Sequence, residues 1–316
     1  MKGESGGDGF GAAVLAGLAA RPRRIPCRHL YDAEGSALFE RITELDEYYL
    51  SRCEAGLLAR HGGEVAALVG TGARVVEFGA GSMRKTRLLL DALTAPAAYV
   101  PVDVCRDALV LAARRLAADH PGLAVTPLVA DFTHPLTLPP APGDDPALAF
   151  FPGSTIGNLS PSQARDFLHR VARLTGRRGW LLVGVDLVKE PAVIEAAYDD
   201  RHGVTAMFLR NLLARANREL GADFDLDGFD HTARWNGREG RVEIHLVANR
   251  SQTAMVAGEP FRFRRGDAIH VEDCYKYSVP QFQWLARQGG FAPAAHWIDP
   301  QGLFSLHMLA VDDRRR

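Results

Sequence analysis

The strongest constraint on the fold is an alternation of short apolar segments and amphipathic segments between residues 73 and 187. The apolar runs have the length of strands, and the segments between them carry leucine and alanine at helical spacing. Strands separated by helices predict a parallel sheet with right-handed crossovers. The predicted strands are residues 74–78, 99–104, 125–129, 147–151 and 180–187.

The pattern changes after Pro191, where a long helical region extends to about residue 220 and short alternating segments follow it. Asn236-Gly237 and Ala257-Gly258 are typical of the turns of antiparallel hairpins. A last helix at 279–288 and two strands, 296–299 and 303–309, are expected to return the chain to the first sheet.

The sequence therefore predicts an α/β fold: a doubly wound, Rossmann-like sheet interrupted by a smaller α+β insertion. The predicted sheet domain comprises residues 57–195 and 277–316. The predicted insertion domain comprises residues 12–56 and 196–276.

Composition excludes several classes of protein. Lys and Arg (37) nearly balance Asp and Glu (38), which argues against a nucleic-acid-binding protein. The four cysteines form no CxxC pair, so neither a metal site nor a disulfide framework is expected, and a reducing cytoplasm is favoured. No apolar run reaches the roughly 18 residues of a membrane span. We expect a cytoplasmic monomer that acts on a small molecule.

Three signals of a nucleotide site lie where predicted strands end, which is where open α/β sheets bind ligands. Gly79 and Gly81 follow the first strand and let the backbone approach a ligand closely. Asp103 ends the second strand and is expected to accept hydrogen bonds from ribose hydroxyls. Asp131 and Phe132 follow the third strand. Asp131 is expected to accept a hydrogen bond from the adenine amino group, and Phe132 is expected to pack its ring on the adenine face.

These signals have other interpretations. A lone GxG also marks a tight turn between a strand and a helix, and dinucleotide enzymes share the acid of the second strand. Two details favour S-adenosyl-L-methionine over NAD. Arg84 stands where the dinucleotide fingerprint has its third glycine. The sheet is also predicted to end with the reversed sixth and seventh strands that are typical of class I methyltransferases.

The segment 151–158, Phe-Pro-Gly-Ser-Thr-Ile-Gly-Asn, is more specific. It resembles the signature of the L-histidine Nα-methyltransferases of ergothioneine biosynthesis. The resemblance extends from about Pro26 to Leu309 and includes further segments in the same order. These segments are 30–39, 47–49, 82–86, 197–200, 217–220 and 272–277.

The resemblance implies a class I methyltransferase sheet with a separate substrate-recognition domain, and methylation of the α-amino group of free L-histidine, up to the trimethylated betaine. It implies cofactor contacts at Gly79, Lys85, Asp103, Asp131 and Phe132. Substrate contacts are expected at Tyr48, Gly153, Thr155, Asn158, Tyr198, Glu272 and Cys274. Among them, Asn158 and Tyr198 are expected to hold the α-carboxylate and, with Tyr48, to act in catalysis. Glu272 is expected to accept a hydrogen bond from the imidazole.

Each of these substrate residues also has a structural interpretation. Asn158 is well placed to cap a helix that begins near Pro161. Tyr48 and Tyr198 have the pattern of aromatic residues at the edge of a core. Glu272 lies in an alternating segment, where a carboxylate is usually found on a solvated strand face.

Departures from the family pattern concern the side-chain pocket. Cys274 replaces the usual Ser, Asp273 adds an acid beside Glu272, and Ile244 stands where Met is common. These changes leave open another substrate, such as a tryptophan or modified histidine derivative, and a protein that only binds S-adenosylmethionine. Glu272 argues against an indole, because an apolar pocket should not bury an unpaired carboxylate.

Overall fold

The computed structural model describes residues 7–81, 83–140 and 146–312. The chain divides into two compact units. The smaller unit comprises Met1–Tyr48 and Glu190–Asp273, and the larger unit comprises Tyr49–Lys189 and Cys274–Arg316. All three divisions fall earlier in the sequence than the predicted boundaries at 57, 196 and 277.

Helices and strands alternate through much of the chain. The helices are α1 (Gly7–Ala19), α2 (Ala33–Thr43), α3 (Tyr49–Val69), α4 (Arg84–Ala92), α5 (Arg106–Asp119), α6 (Pro161–Thr175), α7 (Pro191–Ala196), α8 (Val204–Leu220) and α9 (Val279–Gln288). The strands are β1 (Arg23–Arg24), β2 (Arg74–Phe78), β3 (Ala98–Asp103), β4 (Ala124–Val125), β5 (Leu128–Val129), β6 (Ala147–Phe151), β7 (Trp180–Asp186), β8 (Phe229–Asn236), β9 (Arg241–Ala248), β10 (Gln252–Val256), β11 (Glu259–Phe263), β12 (Ala268–Tyr275), β13 (Phe291–Ile298) and β14 (Phe304–Val311).

The larger unit contains the predicted sheet. Its strand order is β13-β14-β7-β6-β2-β3-β4, with β5 also paired to β3. Strands β3, β2, β6 and β7 pair in parallel, whereas β14 is antiparallel to both β7 and β13. The last strand of the chain, β14, lies between β7 and β13, so the last two strands occur in reversed order. The Rossmann-like α/β fold predicted from the sequence is confirmed. The carboxyl ends of β2, β3, β5, β6 and β7 form one edge of this sheet.

Local sequence explains where some of these elements begin and end. The predicted strand at 125–129 is two short strands, because Thr126 and Pro127 separate β4 from β5 and proline has no N–H for the ladder. Helix α6 begins with a capping box, in which the Ser160 hydroxyl accepts from the N–H of Gln163 and the Gln163 side chain accepts from Ser160.

The core of the larger unit packs α6 and α9 against the sheet. Fully buried aromatic rings dominate it, with Phe151 and Phe167 at 4.5 Å between ring centroids. Phe78 contacts both rings edge-on. Packing of this kind fixes the ends of β2 and β6, from which the candidate site is built.

The smaller unit combines α8 with a four-stranded sheet of order β1-β12-β9-β8 and a separate β10–β11 hairpin. The predicted antiparallel hairpins are confirmed, and the positive φ of both Ala257 and Gly258 is that of a tight primed turn. The helical region predicted from 191 to 220 is interrupted between α7 and α8. There, the Asp200 carboxylate accepts hydrogen bonds from the N–H groups of Val204 and Thr205.

Among the described residues, no helix combines the length and the apolar character that crossing a lipid bilayer requires.

Candidate functional site

The glycine turn after β2 faces an acid at the end of β3. Gly79 and Gly81 both have positive φ, 72° and 49°, a conformation that costs glycine little. The N–H of Gly81 donates to Asp103 Oδ2 at 3.3 Å, and Cys105 N–H donates to Oδ1 at 3.0 Å. The structure thus brings together three of the residues that the sequence predicts, at the carboxyl edge of the sheet.

Asp131 and Phe132 complete this edge beyond β5. The Asp131 carboxylate accepts from the N–H of Thr133 at 2.9 Å, which fixes the turn. A Cβ atom added to Gly79 would lie 3.7 Å from the Phe132 ring, so the ring borders the glycine turn. A cavity of about 420 Å³ is lined by Phe132 and, among others, Phe78 and Arg170.

Lys85 is held by an acid that sequence reasoning missed. Glu54, on α3, is fully buried and accepts from Lys85 Nζ at 2.6 Å and from the N–H of Gly153 at 2.8 Å. One carboxylate therefore links a predicted cofactor residue to a predicted substrate residue. No local signal marks Glu54, because its partners lie 31 and 99 residues away in the sequence.

Glu77 is a second buried acid beneath the glycine turn. Its Oε2 accepts from the hydroxyls of Thr86, at 2.5 Å, and Tyr99. Burial raises the pKa of Glu77 to about 8, although both hydrogen bonds and Lys85 oppose the rise. Folding therefore favours the protonated carboxyl group up to mildly alkaline pH.

Glu77→Gln should become progressively more stabilising, relative to the parent, as the pH rises from 5 to 9. The pKa of Glu77 in the folded protein, about 8, exceeds the ordinary glutamate value of 4.5. The contribution of the Glu77 carboxyl group to the free energy of unfolding of the parent is therefore fully present below pH 4.5. It is lost as the pH rises through 8, by at most about 1.4 kcal/mol per pH unit. Urea unfolding across this range measures the difference, with the exposed Glu239→Gln as control. A difference that is constant with pH would contradict the prediction.

Asn158 does not cap α6, which is capped by Ser160. It ends the short 3-10 turn Thr155–Asn158, and its Oδ1 accepts from the thiol of Cys274 at 3.6 Å. The capping interpretation of Asn158 is therefore wrong. Because the amide oxygen of Asn158 faces Cys274, the orientation of its amide N–H groups is defined. N–H donors are the groups that a carboxylate ligand requires.

The backbone before this turn adopts a demanding conformation. Gly153 and Ser154 both have positive φ, 79° and 57°. A Cβ on Gly153 would lie 3.4 Å from Thr155 Oγ1 and 3.5 Å from Lys85 Nζ. The larger unit thus gathers the predicted residues Gly153, Thr155, Asn158 and Cys274 close to the end of β6.

The other predicted substrate residues lie in the smaller unit. Tyr48 and Tyr198 are buried, with ring centroids 6.3 Å apart in an edge-to-face contact. Glu272, on β12, is only 8% exposed, so the interpretation as a solvated strand residue is wrong. Cys274 lies two residues further along the same strand, and alternate strand residues share a face.

Asp273 and Ile244 have roles within the smaller unit. The Asp273 carboxylate lies 3.0 Å from His270 Nε2 and 3.3 Å from Arg241 Nε. Burial would raise the pKa of Asp273, but the hydrogen bond from His270 and the charge of Arg241 lower it overall. Its charge is thus matched by the basic side chains of His270 and Arg241. Ile244 is buried on β9.

Comparison with known proteins gives a consistent result. The model of a family described as "Histidine-specific methyltransferase, SAM-dependent" matches residues 10–311. The histidine N-alpha-methyltransferase of Mycolicibacterium smegmatis is 39% identical over 300 residues, which cover 93% of this chain and 92% of that protein. The histidine N-alpha-methyltransferase of Mycobacterium tuberculosis is 38% identical, with 94% and 93% covered. Ergothioneine biosynthesis protein 1 of Neurospora crassa is 32% identical over 92% of this chain and 33% of that protein.

Proposed function

Since the chain belongs to the family of histidine-specific, S-adenosylmethionine-dependent methyltransferases, we propose that it methylates the α-amino nitrogen of free L-histidine. The observation that carries the proposal is the family match over residues 10–311. The N-methyltransferase activity and its dependence on S-adenosylmethionine follow from the family. The individual site residues are part of the proposal.

The carboxyl edge of the larger sheet fits S-adenosylmethionine. Gly79 and Gly81 keep the edge open, since a Cβ on Gly81 would meet no atom within 4 Å. Asp103 offers carboxylate oxygens to the ribose hydroxyls. Asp131 offers an acceptor to the adenine amino group, and Phe132 offers a ring face beside a cavity. Lys85, fixed by a buried carboxylate, is suited to the cofactor's own carboxylate. When bound, the cofactor supplies a methyl group on a positively charged sulfur.

Asp103→Ala should weaken S-adenosylmethionine binding by about 1–3 kcal/mol, the usual cost of losing a partner of a buried polar group. Isothermal titration calorimetry gives the dissociation constant directly. Asp119→Ala, which removes an exposed acid of the same unit, is the matched control and should bind as the parent does. Equal affinities for Asp103→Ala and the parent would contradict the cofactor site.

The proposed substrate residues orient the amine. Asn158 and Tyr198 hold the α-carboxylate, Tyr48 packs beside Tyr198, and Glu272 accepts from the imidazole N–H. Orientation supplies much of the rate, because the reacting nitrogen must lie in line with the methyl carbon. The α-amine of a free amino acid is mostly protonated at neutral pH, and the small unprotonated fraction is the form that reacts without a dedicated base. The methylated product is an ammonium ion, and it gives up a proton to water before it can accept the next methyl group.

Histidine is favoured over other amino acids by the buried Glu272. A site that hydrogen-bonds a polar group rejects substrates that leave its acceptor unpaired, whereas an apolar pocket discriminates far less. The alternative is an Nα-methyltransferase that acts on a tryptophan or modified histidine derivative. The observation that favours this alternative is Cys274, whose thiol is a weaker hydrogen-bonding group than the usual hydroxyl.

A turnover assay tests the proposal. Purified protein, S-adenosylmethionine and one free amino acid at a time are incubated, and products are identified by mass spectrometry. We expect mono-, di- and trimethylated histidine, with the trimethylated betaine accumulating. Turnover of another amino acid with no turnover of histidine would support the alternative, and S-adenosylmethionine binding without turnover of any amino acid would leave only a binding protein.

The roles of the two units and the cellular setting belong to the same proposal. The larger unit is the cofactor-binding domain and the smaller unit the substrate-recognition domain, since Tyr48, Tyr198 and Glu272 lie in the latter. We propose a monomer in the cytoplasm that binds no nucleic acid. The four cysteines form no disulfide and the formal net charge is −1, and both observations support this part.

A further inference from the structure

A buried cluster of charged side chains lies at the end of β7 and has no role in the proposed function. Asp186 is fully buried, and its carboxylate lies 2.7 Å from Lys276 Nζ and 2.5 Å from Lys189 Nζ. The Tyr49 hydroxyl donates to the same carboxylate at 2.8 Å. These four residues are named here the Asp186 cluster.

Stability alone does not explain the Asp186 cluster. The side chains of Lys276 and Lys189 are 1% and 8% exposed, so two ammonium groups and a carboxylate are removed from water. Burial lowers the pKa of Lys189, although Asp186 opposes the effect. Desolvation of each ion costs several kcal/mol, and apolar side chains of similar volume often give equal or greater stability. The arrangement therefore calls for another explanation.

Two partners of Asp186 are close in sequence to proposed substrate residues. Tyr49 directly follows Tyr48, and it begins helix α3. Lys276 lies two residues after Cys274, just beyond the end of β12. Both side chains converge on one carboxylate, which therefore ties down the start of α3 and the end of β12.

A third connection comes from the backbone of Asp186. Its N–H donates to Ser154 Oγ at 2.9 Å, and Ser154 lies between Gly153 and Thr155. Ser154 is buried and has a φ of 57°, a conformation that non-glycine residues adopt at a cost and that surrounding contacts must maintain. The bond from Asp186 is one such contact, and it acts on the turn that ends at Asn158.

From these three connections we propose that Asp186 is a positioning residue for the methyl acceptor. It fixes the start of α3, the Gly153–Thr155 turn and the end of β12, and each segment contains or adjoins a residue proposed to contact the substrate. Asp186 itself contacts no substrate. This inference rests on the proposed function, because it concerns the placement of the amino acid and not of the cofactor.

Two variants test the proposal. Tyr49→Phe removes the hydroxyl that donates to Asp186 and accepts from Lys189 Nζ at 2.6 Å, but it keeps both lysine pairs of Asp186. It should raise the KM for histidine about 5- to 10-fold. Asp186→Asn removes the charge that both lysines face, and it should raise this KM at least about tenfold. In both variants the dissociation constant for S-adenosylmethionine, measured by calorimetry, should stay within about twofold of the parent, a split that general destabilisation does not produce.

Asp299→Asn is the matched control. Asp299 is another buried aspartate of the larger unit, and it accepts from the N–H groups of Gln301, Leu303 and Phe304. Its substitution should lower the Tm and leave the KM for histidine unchanged. If Asp186→Asn does not fold, Tyr49→Phe carries the test.

An unchanged KM for histidine in folded variants would overturn the inference. So would equal losses of histidine and cofactor affinity, which would indicate a purely structural cluster. A parent without histidine turnover contradicts the proposed function instead, so the two failures are distinguishable.

Discussion

Glu272→Ala should raise the KM for histidine by about 10- to 100-fold, while the affinity for S-adenosylmethionine stays close to that of the parent. Glu272 is only 8% exposed, so its carboxylate acts where water competes little. Loss of a hydrogen bond to such a charged group costs about 1.5–3 kcal/mol. Relative activity on apolar aromatic amino acids such as tryptophan should increase, because the acceptor that rejects them is gone. Steady-state kinetics with both amino acids measures the change.

Neighbouring residues on β12 provide the controls. Asp273→Asn changes an acid adjacent to Glu272 that is bonded to His270 and Arg241, and it should leave the KM for histidine unchanged. Cys274→Ser should lower this KM a few-fold, because a hydroxyl is a stronger donor than a thiol. If Glu272→Ala used histidine as well as the parent does, the assignment of Glu272 to the imidazole would fail, while the methyltransferase activity would be unaffected.

Asn158→Ala should lower kcat/KM for histidine by about 100- to 1000-fold. The variant loses the proposed hydrogen bond to the α-carboxylate, and it also loses the contact with the Cys274 thiol that orients the amide. The direct loss is about 1.5–3 kcal/mol, and misplacement of the amine adds to it. The rate of methylated histidine formation at low substrate concentration measures kcat/KM.

Asn158→Asp separates recognition from local structure. Aspartate caps turns and helices about as well as asparagine, so a local structural role would be largely retained. The carboxylate that Asn158→Asp introduces has no N–H donor and repels the substrate's carboxylate. The proposed role therefore predicts that Asn158→Asp is at least as impaired as Asn158→Ala. Near-parental activity of Asn158→Asp would contradict the assignment.

Periodicity and turn residues predicted the elements whose bounds are set by the local sequence. Strands β2 and β6 and helix α9 begin and end where the pattern indicates, because apolar runs and breakers there coincide. The interruption between α7 and α8 was missed. It depends on the Asp200 carboxylate, whose bonds to Val204 and Thr205 replace a continued helix.

The site could be predicted only in part. The placement of Gly79, Gly81 and Asp103 at one edge of the sheet was predictable, because the ends of parallel strands meet there. Glu54 and Asp186 were not, since helix or strand patterns assign no partner to a buried acid. Tyr49 and Asp186 are 137 residues apart, and only the folded chain brings them together.

Glu272 and Cys274 occupy alternate positions of one strand, and Ile244 lies on β9, the neighbouring strand of the same sheet. None of these three residues belongs to the loops that follow β2, β3 and β5. A saturation library at 272, 274 and 244 therefore varies the proposed acceptor pocket while the proposed cofactor loops retain their sequence. In evolutionary terms, such a separation lets a duplicated gene acquire a new amino-acid acceptor through a few codon changes without first losing its methyl donor.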